Sequence, residues 1–133
     1  CSHGGIVNIV KEAQRALHKN VYAVVGGFHL KSLDGVDSMA VSPEEVEDIG
    51  RQLVELGVKQ IYTGHCTGRL ALGILQQCFP KEVHSIHTGM QLSFCWTWSF
   101  FIFHSCDSGF STVYFRAIQI NKMIEVRSRR RAK

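Results

Sequence analysis

Three histidines of this 133-residue chain, His3, His29 and His65, lie within two residues of glycine or serine at the junctions of predicted strands and helices. Neutral imidazole is the commonest protein ligand of zinc and related divalent ions, and small neighbours let a metal or a substrate approach the backbone. Their spacing therefore permits a metal site, provided that the fold brings them together. With seven histidines in the chain, the alternative is that some of the three are ordinary surface groups or helix-end caps.

Alternating helices and strands are expected to position these histidines. Apolar residues at helical spacing predict a first helix over residues 6–17, and the unbroken Val-Tyr-Ala-Val-Val run at 21–25 predicts a strand that is buried on both faces. Ser42-Pro43-Glu44-Glu45 predicts the start of a second helix, with Ser42 as its N-cap. Gly57 is predicted to end that helix as the C-terminal cap.

The same alternation continues up to residue 87. Residues 58–62 predict a second strand, residues 70–75 a third helix that breaks near Phe79-Pro80, and residues 83–87 a third strand. Helical connections of this length require parallel neighbouring strands, so the fold class is α/β. Because parallel strands end at one edge of a sheet, we expect the three imidazoles to converge there.

Length and composition limit the classes of protein that fit. The chain suffices for one domain, and 45% apolar with 20% charged residues excludes disorder along most of its length. The net charge is −1 up to Met90 and +5 beyond it, so the basicity belongs to the tail. The Arg-rich residues 127–133 are interpreted as a solvated terminus, and a nucleic-acid partner is not expected.

Cysteine usage and hydropathy indicate a cytoplasmic protein. The five cysteines are irregularly spaced, contain no CxxC pair and follow no signal peptide, which favours reduced thiols in the cytosol. The most apolar stretch, residues 94–103, is about half of the roughly 20 residues that a membrane-spanning helix needs. We therefore expect no membrane span.

Three motifs carry a family resemblance. Cys-Ser-His-Gly-Gly-Ile-Val-Asn at 1–8, Gly-Gly-Phe-His-Leu at 26–30 and Thr-Gly-His-Cys-Thr-Gly at 63–68 resemble the second half of a metallo-β-lactamase-fold metal-dependent hydrolase. The subgroup that they resemble is that of the dihydropteridine-type ribofuranosylaminobenzene 5′-phosphate synthases. The resemblance implies that residues 1–92 form the C-terminal half of an αββα sandwich, in which each half supplies one sheet.

The resemblance also implies roles for individual residues. His3 matches a motif whose His completes the shell of the first metal, and His65 matches one whose His binds the second metal. His29 falls where most of the superfamily has a bridging Asp, so it is interpreted as a ligand or a substrate contact. Asp34 and Asp37 could substitute, but they match no motif.

Cys66 has two interpretations. It is a soft potential ligand beside His65, but the favoured interpretation is a small buried thiol that has no role in metal binding.

The family's principal metal motif, His-x-His-x-Asp-His, belongs to a first half that this chain lacks, and the start at Cys1 without Met suggests a fragment or a processed product. The implied activity is that of a divalent-metal hydrolase, with zinc as the expected ion and iron or manganese as alternatives. Its metal-bound hydroxide would attack an ester or phosphate ester of a small-molecule substrate. The alternative is a non-catalytic fragment or remnant that needs another chain, either a missing N-terminal half or a second copy, to complete the site. Either way, we expect the isolated chain to be inactive.

Residues 93–133 differ in composition from the preceding part. Both Trp and six of the eight Phe lie beyond residue 90, whereas eleven of the twelve Gly lie before it. Aromatic and apolar residues that alternate between Phe94 and Ile102 predict a strand. This extension either covers the sheet or is foreign to the family.

Overall fold

The computed structural model describes residues 2–32 and 38–92, together with the backbone of three short strands beyond them. The helices are α1 (Ile6–Leu17), α2 (Pro43–Glu55) and α3 (Arg69–Cys78). The strands are β1 (Val21–Gly26), β2 (Gln60–Thr63), β3 (Val83–Ser85), β4 (Gln91–Leu92), β5 (Phe100–Phe103), β6 (Val113–Tyr114) and β7 (Ile124–Glu125). The predicted alternation of three helices with three strands is confirmed, although β2 begins two residues later and β3 ends two residues earlier than expected.

The main sheet has the strand order β3-β2-β1-β5-β6. β1 pairs in parallel with β2 and with β5, and β2 pairs in parallel with β3. β6 runs antiparallel to β5, and β4 and β7 form a separate antiparallel pair. The parallel pairing predicted from the helical connections is therefore confirmed.

The three helices cover one face of this sheet. Val24, Ile61 and Val83 are partners in register across β1, β2 and β3, and all three are buried. They share one core cluster with buried residues of every helix, among them Val10, Leu53 and Leu75. A row of branched side chains from parallel strands thus forms the layer on which the helices pack.

The second face of the sheet differs from strand to strand. Ala23 and Val25 alternate with Val24 along β1, lie outside the core cluster that the helices share, and are at most 2% exposed. On β2 and β3 the same face is polar. Tyr62 Oη donates a 3.2 Å hydrogen bond to Gln60 Oε1, and His84 Nε2 lies 3.0 Å from the same oxygen.

The rings of Tyr62 and His84 stack at 4.9 Å. Burial raises the pKa of the Tyr62 phenol, and the neighbouring Tyr22 raises it further. Residues 23–25 of β1 are buried on both faces of the strand, as its apolar sequence predicts, whereas Tyr22 is 37% exposed.

Helix α2 has the capping geometry that its sequence predicts. Glu45 N–H donates to Ser42 Oγ and Ser42 N–H donates to Glu45 Oε2, at 3.2 and 2.9 Å, and Pro43 occupies the first turn. At the other end Gly57 has a φ of 87°, and its N–H donates to the carbonyl of Val54. These bonds satisfy backbone groups that a helix end otherwise leaves unpaired.

Among the described residues, no helix combines the length and the apolarity that crossing a membrane requires. Part of the strand predicted at 94–102 falls on residues 94–99, which lie outside the described residues, whereas residues 100–103 form β5. The tail therefore contributes two strands, β5 and β6, to the main sheet.

Two helical glycines provide a matched test of this packing. A Cβ added at Gly50 would lie 2.8 Å from Phe79 Cδ2 and 2.9 Å from Leu75 Cδ2, whereas one added at Gly73 would meet no atom within 4 Å. Gly50→Ala is expected to lower the free energy of unfolding by about 1–3 kcal/mol through overpacking. Gly73→Ala is expected to raise it by about 0.5–1 kcal/mol through the helix propensity of alanine. Chemical denaturation measures both, and effects of the same sign would contradict the packing of α2 on α3.

Candidate metal centre

The loops that carry the candidate ligands meet at the carboxyl edge of the sheet. Gly26 and Thr63, the last residues of β1 and β2, are partners in register. His29 follows Gly26 by three residues, and His65 follows Thr63 by two. Ligand sites of α/β sheets collect at this edge, so the placement expected from the strand order is observed.

His3 reaches the same edge through a turn that is fixed to the end of β1. The buried Ser2 donates to the carbonyl of Gly27 twice, from its N–H at 3.1 Å and from its Oγ at 2.7 Å. The N–H of Gly5 then donates to the carbonyl of Ser2 at 2.9 Å, which closes the turn that contains His3 and leads into α1. The hydrogen bonds to Gly27 therefore fix the position of the turn that carries His3.

The loop with His29 is bonded to the short 3₁₀ helix His65–Thr67. The N–H groups of Leu30 and Lys31 both donate to the carbonyl of Cys66 at 3.0 Å. The N–H of Phe28 donates to Thr67 Oγ1 at 2.9 Å. Backbone donors on both sides of His29 are thus satisfied by the turn that carries His65.

Thr67 is the residue that sequence reasoning missed here. Its side chain is fully buried, and its hydroxyl is 2.5 Å from the hydroxyl of Thr63, which is also fully buried. The two hydroxyls therefore form a chain that links the end of β2 to the N–H of Phe28. Two threonines four residues apart around Gly64-His65 are the sequence signal for this arrangement.

Gly27 permits these loops to approach each other. A Cβ at this position would overlap Cys66 Sγ and would lie 3.3 Å from the carbonyl oxygen of Gly64. Cys66 itself is half-buried, and its sulfur occupies the space above Gly27. The contact favours the interpretation of Cys66 as a packing residue.

The structure brings two of the three imidazoles together. The ring centroids of His3 and His29 are 4.1 Å apart, with the ring planes inclined at 47°. His29 Nδ1 is buried and has no hydrogen-bond partner. An unpaired buried nitrogen typically costs about 1–3 kcal/mol, so this atom is a site at which a ligand would be stabilising.

The backbone is strained at two of the candidate residues. His29 has a φ of 58° and His65 a φ of 53°, and within the described ranges only His18 among the other non-glycine residues is also positive. Left-handed conformations at non-glycine residues cost energy, and they are found preferentially at functional sites. The hydrogen bonds to Cys66 and Thr67 hold both histidines in this conformation.

His65 does not join the other two rings in a closed cluster. Across residues 2–32 and 38–92, no group of three or more His, Cys, Asp or Glu side chains is arranged to hold a metal ion. The side chain of His65 is exposed, and so is that of His3. Asp34 and Asp37, the suggested substitutes, lie outside the described residues. The expected convergence of three imidazoles is therefore observed for one pair, and the donor set fits part of a metal site.

Comparisons with known proteins bear on what this partial site belongs to. No protein-family profile matches the chain. Over 95 residues, the chain is 39% identical to the 7,8-dihydropterin-6-methyl-4-(β-D-ribofuranosyl)-aminobenzene-5′-phosphate synthase of Methanocaldococcus jannaschii, covering 71% of this chain and 30% of that protein.

Among solved structures, a metal-dependent hydrolase of the β-lactamase superfamily superposes with a TM-score of 0.57 at 34% identity, covering 71% of this chain and 34% of that one. The chain thus spans about a third of the length of the proteins that it matches. The expected resemblance is confirmed: the chain carries a fragment of the metallo-β-lactamase fold, and over that fragment it resembles the ribofuranosylaminobenzene 5′-phosphate synthases.

Proposed function

We propose that this chain supplies the C-terminal part of the active site of a divalent-metal hydrolase, with His3 and His65 as metal ligands. His29 is the third proposed ligand, or else a contact to substrate. The observation that carries the proposal is the buried, unpartnered Nδ1 of His29 beside the ring of His3, on loops that are bonded to the turn of His65. The metal-dependent hydrolase that resembles the chain supports it.

The chemistry of the donors favours zinc, with iron or manganese as alternatives, because neutral imidazole suits these ions. When bound, such an ion supplies a Lewis acid for hydrolysis of an ester or phosphate ester of a small molecule. The residues of this chain that surround the candidate ligands hold them in place. Ser2 fixes the turn of His3, and Thr67 with the carbonyl of Cys66 fixes the loop of His29.

The site needs further ligands from outside this fragment. A catalytic metal is held by about three protein groups that leave one position open, with partners that orient each ligand. The described residues bring two imidazoles together, and the relatives are about three times as long as the matched region. We propose that residues 1–92 act with a further segment or a second chain, in the cytoplasm, and that residues 93–133 are an extension with no part in metal binding.

A second candidate is a non-catalytic fragment of this fold. The absence of a closed group of three metal-binding side chains within 2–32 and 38–92 favours it. Metal titration of the purified chain separates the two candidates, because a remnant that has lost its site would bind zinc no better than its scattered surface histidines allow.

The histidine assignment predicts a specific pattern of zinc affinities. His29→Asn and His65→Asn keep a residue type that tolerates positive φ, so they remove the imidazole with little backbone strain. Each is expected to weaken zinc binding by about 10- to 100-fold or more, as loss of a ligand or of its orienting partner does. Calorimetric titration of the full chain measures this, and His3→Ala is expected to have a similar effect.

His18→Asn is the matched control for these variants. His18 also has a positive φ, of 51°, but it caps the C-terminus of α1, away from the carboxyl edge of the sheet. Its replacement is expected to leave zinc affinity unchanged. If all four variants bind zinc as the parent chain does, none of the three histidines is a ligand.

Substitutions at Gly27 and Cys66 test how the loops of the site are held in place. Gly27→Ala is expected to destabilise the fold by about 1–3 kcal/mol, because its methyl group would overlap Cys66 Sγ. It is also expected to weaken zinc binding through displacement of the His29 loop. Adding Cys66→Ala removes the sulfur and should restore part of both losses.

The single variant Cys66→Ala distinguishes packing from ligation. It is expected to bind zinc as the parent chain does, like the control Cys78→Ala, which removes an exposed free thiol. A large loss of zinc affinity in Cys66→Ala alone would instead identify Cys66 as a ligand.

The isolated chain is expected to show no metal-dependent hydrolysis. Loss of a single orienting partner already costs about 10- to 100-fold in activity or metal affinity, and here a whole set of ligands is missing. Phosphodiesterase and lactone hydrolysis assays with added zinc, manganese or iron test this. Turnover that follows the metal and disappears in His3→Ala would show that the chain, alone or as an oligomer, completes its own site.

A further inference from the structure

A fourth histidine, His87, lies at the carboxyl edge of the sheet. It follows the last residue of β3 by two residues, just as His65 follows the last residue of β2. Because β2 and β3 run in parallel, with Thr63 and Ser85 as partners in register, both loops leave the sheet at the same edge. The edge therefore carries one histidine after each of β1, β2 and β3.

The loops after β2 and β3 stay side by side beyond the strands. The N–H of Ile86 donates to the carbonyl of Thr63 at 3.0 Å. A Cβ added at Gly64 would lie 3.1 Å from the carbonyl oxygen of Ile86, so the two backbones are in close contact there. His65 and His87 are the next residues of the two loops, and both side chains are exposed. The two imidazoles are therefore attached to adjacent backbone segments.

The ring of His87 is held in the tautomer that a metal ligand needs. Its Nδ1 lies 3.2 Å from the carbonyl oxygen of Thr88. Since a carbonyl oxygen only accepts hydrogen bonds, Nδ1 carries the proton of the neutral ring, and the free lone pair is on Nε2. Histidines that bind metals almost always donate their other ring N–H in this way, often to a backbone carbonyl.

The turn at residues 87–90 sets the direction of that carbonyl. The N–H of Met90 donates to the carbonyl of His87 at 3.2 Å. Gly89 has a φ of 84° and Thr88 before it a negative φ, which makes this a type II turn. The peptide between Thr88 and Gly89 is the one whose orientation distinguishes type II from type I turns. The positive φ of Gly89 therefore keeps the Thr88 carbonyl where it accepts from His87.

We propose that His65 and His87 form a two-imidazole site for one divalent metal ion of the zinc class, with Nε2 of His87 as a ligand. This pairing rests on the proposed function, which assigns His65 as a ligand. Two imidazoles leave two positions of a tetrahedral ion for water or for groups from elsewhere. A pair also agrees with the finding that residues 2–32 and 38–92 contain no group of three metal-binding side chains.

Zinc titration of the full chain tests this pair. His87→Asn is expected to weaken zinc binding by about 10- to 100-fold, as loss of a ligand or of its orienting partner does. His84→Asn is the matched control on the same strand, because His84 Nε2 is bonded to Gln60 Oε1 on the second face of the sheet, and it is expected to leave zinc affinity unchanged.

A double-variant cycle shows whether the two histidines bind the same ion. Once His65→Asn has removed one ligand of that ion, adding His87→Asn is expected to cost little more, because the two residues act together. Fully additive losses would place His87 outside the site of His65 and would overturn the pair.

Nuclear magnetic resonance of the isotope-labelled chain gives a readout that a loss of stability does not move. At alkaline pH without zinc, His87 is expected in the tautomer with the proton on Nδ1. Added zinc is expected to shift the Nε2 resonance of His87 and to leave both ring nitrogens of His84 unchanged. An Nε2 proton on His87 in the zinc-free chain would overturn the orienting role of the Thr88 carbonyl.

Gly89→Ala tests the turn that orients His87. A Cβ at Gly89 meets no atom within 4 Å, so the expected loss of zinc affinity comes from the turn and not from overpacking. Gly57→Ala is the matched control, because Gly57 has a φ of 87°, is equally uncrowded and ends α2 away from the site. It is expected to keep the zinc affinity of the parent chain, and equal losses in both variants would contradict the role of the 87–90 turn.

The outcomes separate this pair from the function on which it rests. If His65→Asn weakens zinc binding and His87→Asn does not, the proposed function stands and His87 is an ordinary surface group. If neither variant weakens binding, the assignment of His65 fails and the pair fails with it. If only His87→Asn weakens binding, the ion is not shared with His65 and the pair is overturned.

Discussion

The pairing of backbone groups where the 65–67 turn meets the loop after β1 is the constraint on which the candidate site depends. Buried N–H and carbonyl groups must find partners, and here the two loops supply them to each other. The carbonyl of Cys66 accepts from Leu30 and Lys31, and Thr67 accepts from Phe28. Because Ser2 is bonded to Gly27 in the same region, the backbone segments that carry the three histidines are joined to one another.

This network also explains how two histidines are held with positive φ. Each left-handed residue costs about 1–3 kcal/mol, and such conformations persist where surrounding contacts fix the backbone on both sides. His29 lies between the bonded residues Phe28 and Leu30, and His65 lies between the tightly packed Gly64 and the bonded Cys66. The strain therefore lies in the two loops that present the imidazoles.

Local sequence signals predicted the elements of the fold, and non-local contacts account for what they left open. Ser42, Pro43 and Gly57 mark the ends of α2 through bonds within a few residues, so the sequence alone was sufficient there. The edge placement of the histidines followed from parallel pairing. The pairing of the His3 and His29 rings, with His65 apart, depends on side-chain orientations that no periodicity encodes. The pairing of Phe100–Phe103 with β1 likewise joins residues far apart in the chain.

β1 connects the core of the fragment to the loop of His29 and to the strand β5. On one side its residue Val24 forms, with Ile61 and Val83, the row that packs against the helices, and this core contains none of the candidate ligands. The packing of the helical layer therefore does not involve the candidate ligands. At its end β1 leads to the unpartnered nitrogen of His29, and along its outer edge it accepts a short and irregular strand. The same strand therefore supports both the layer on which the helices pack and the loop that presents His29.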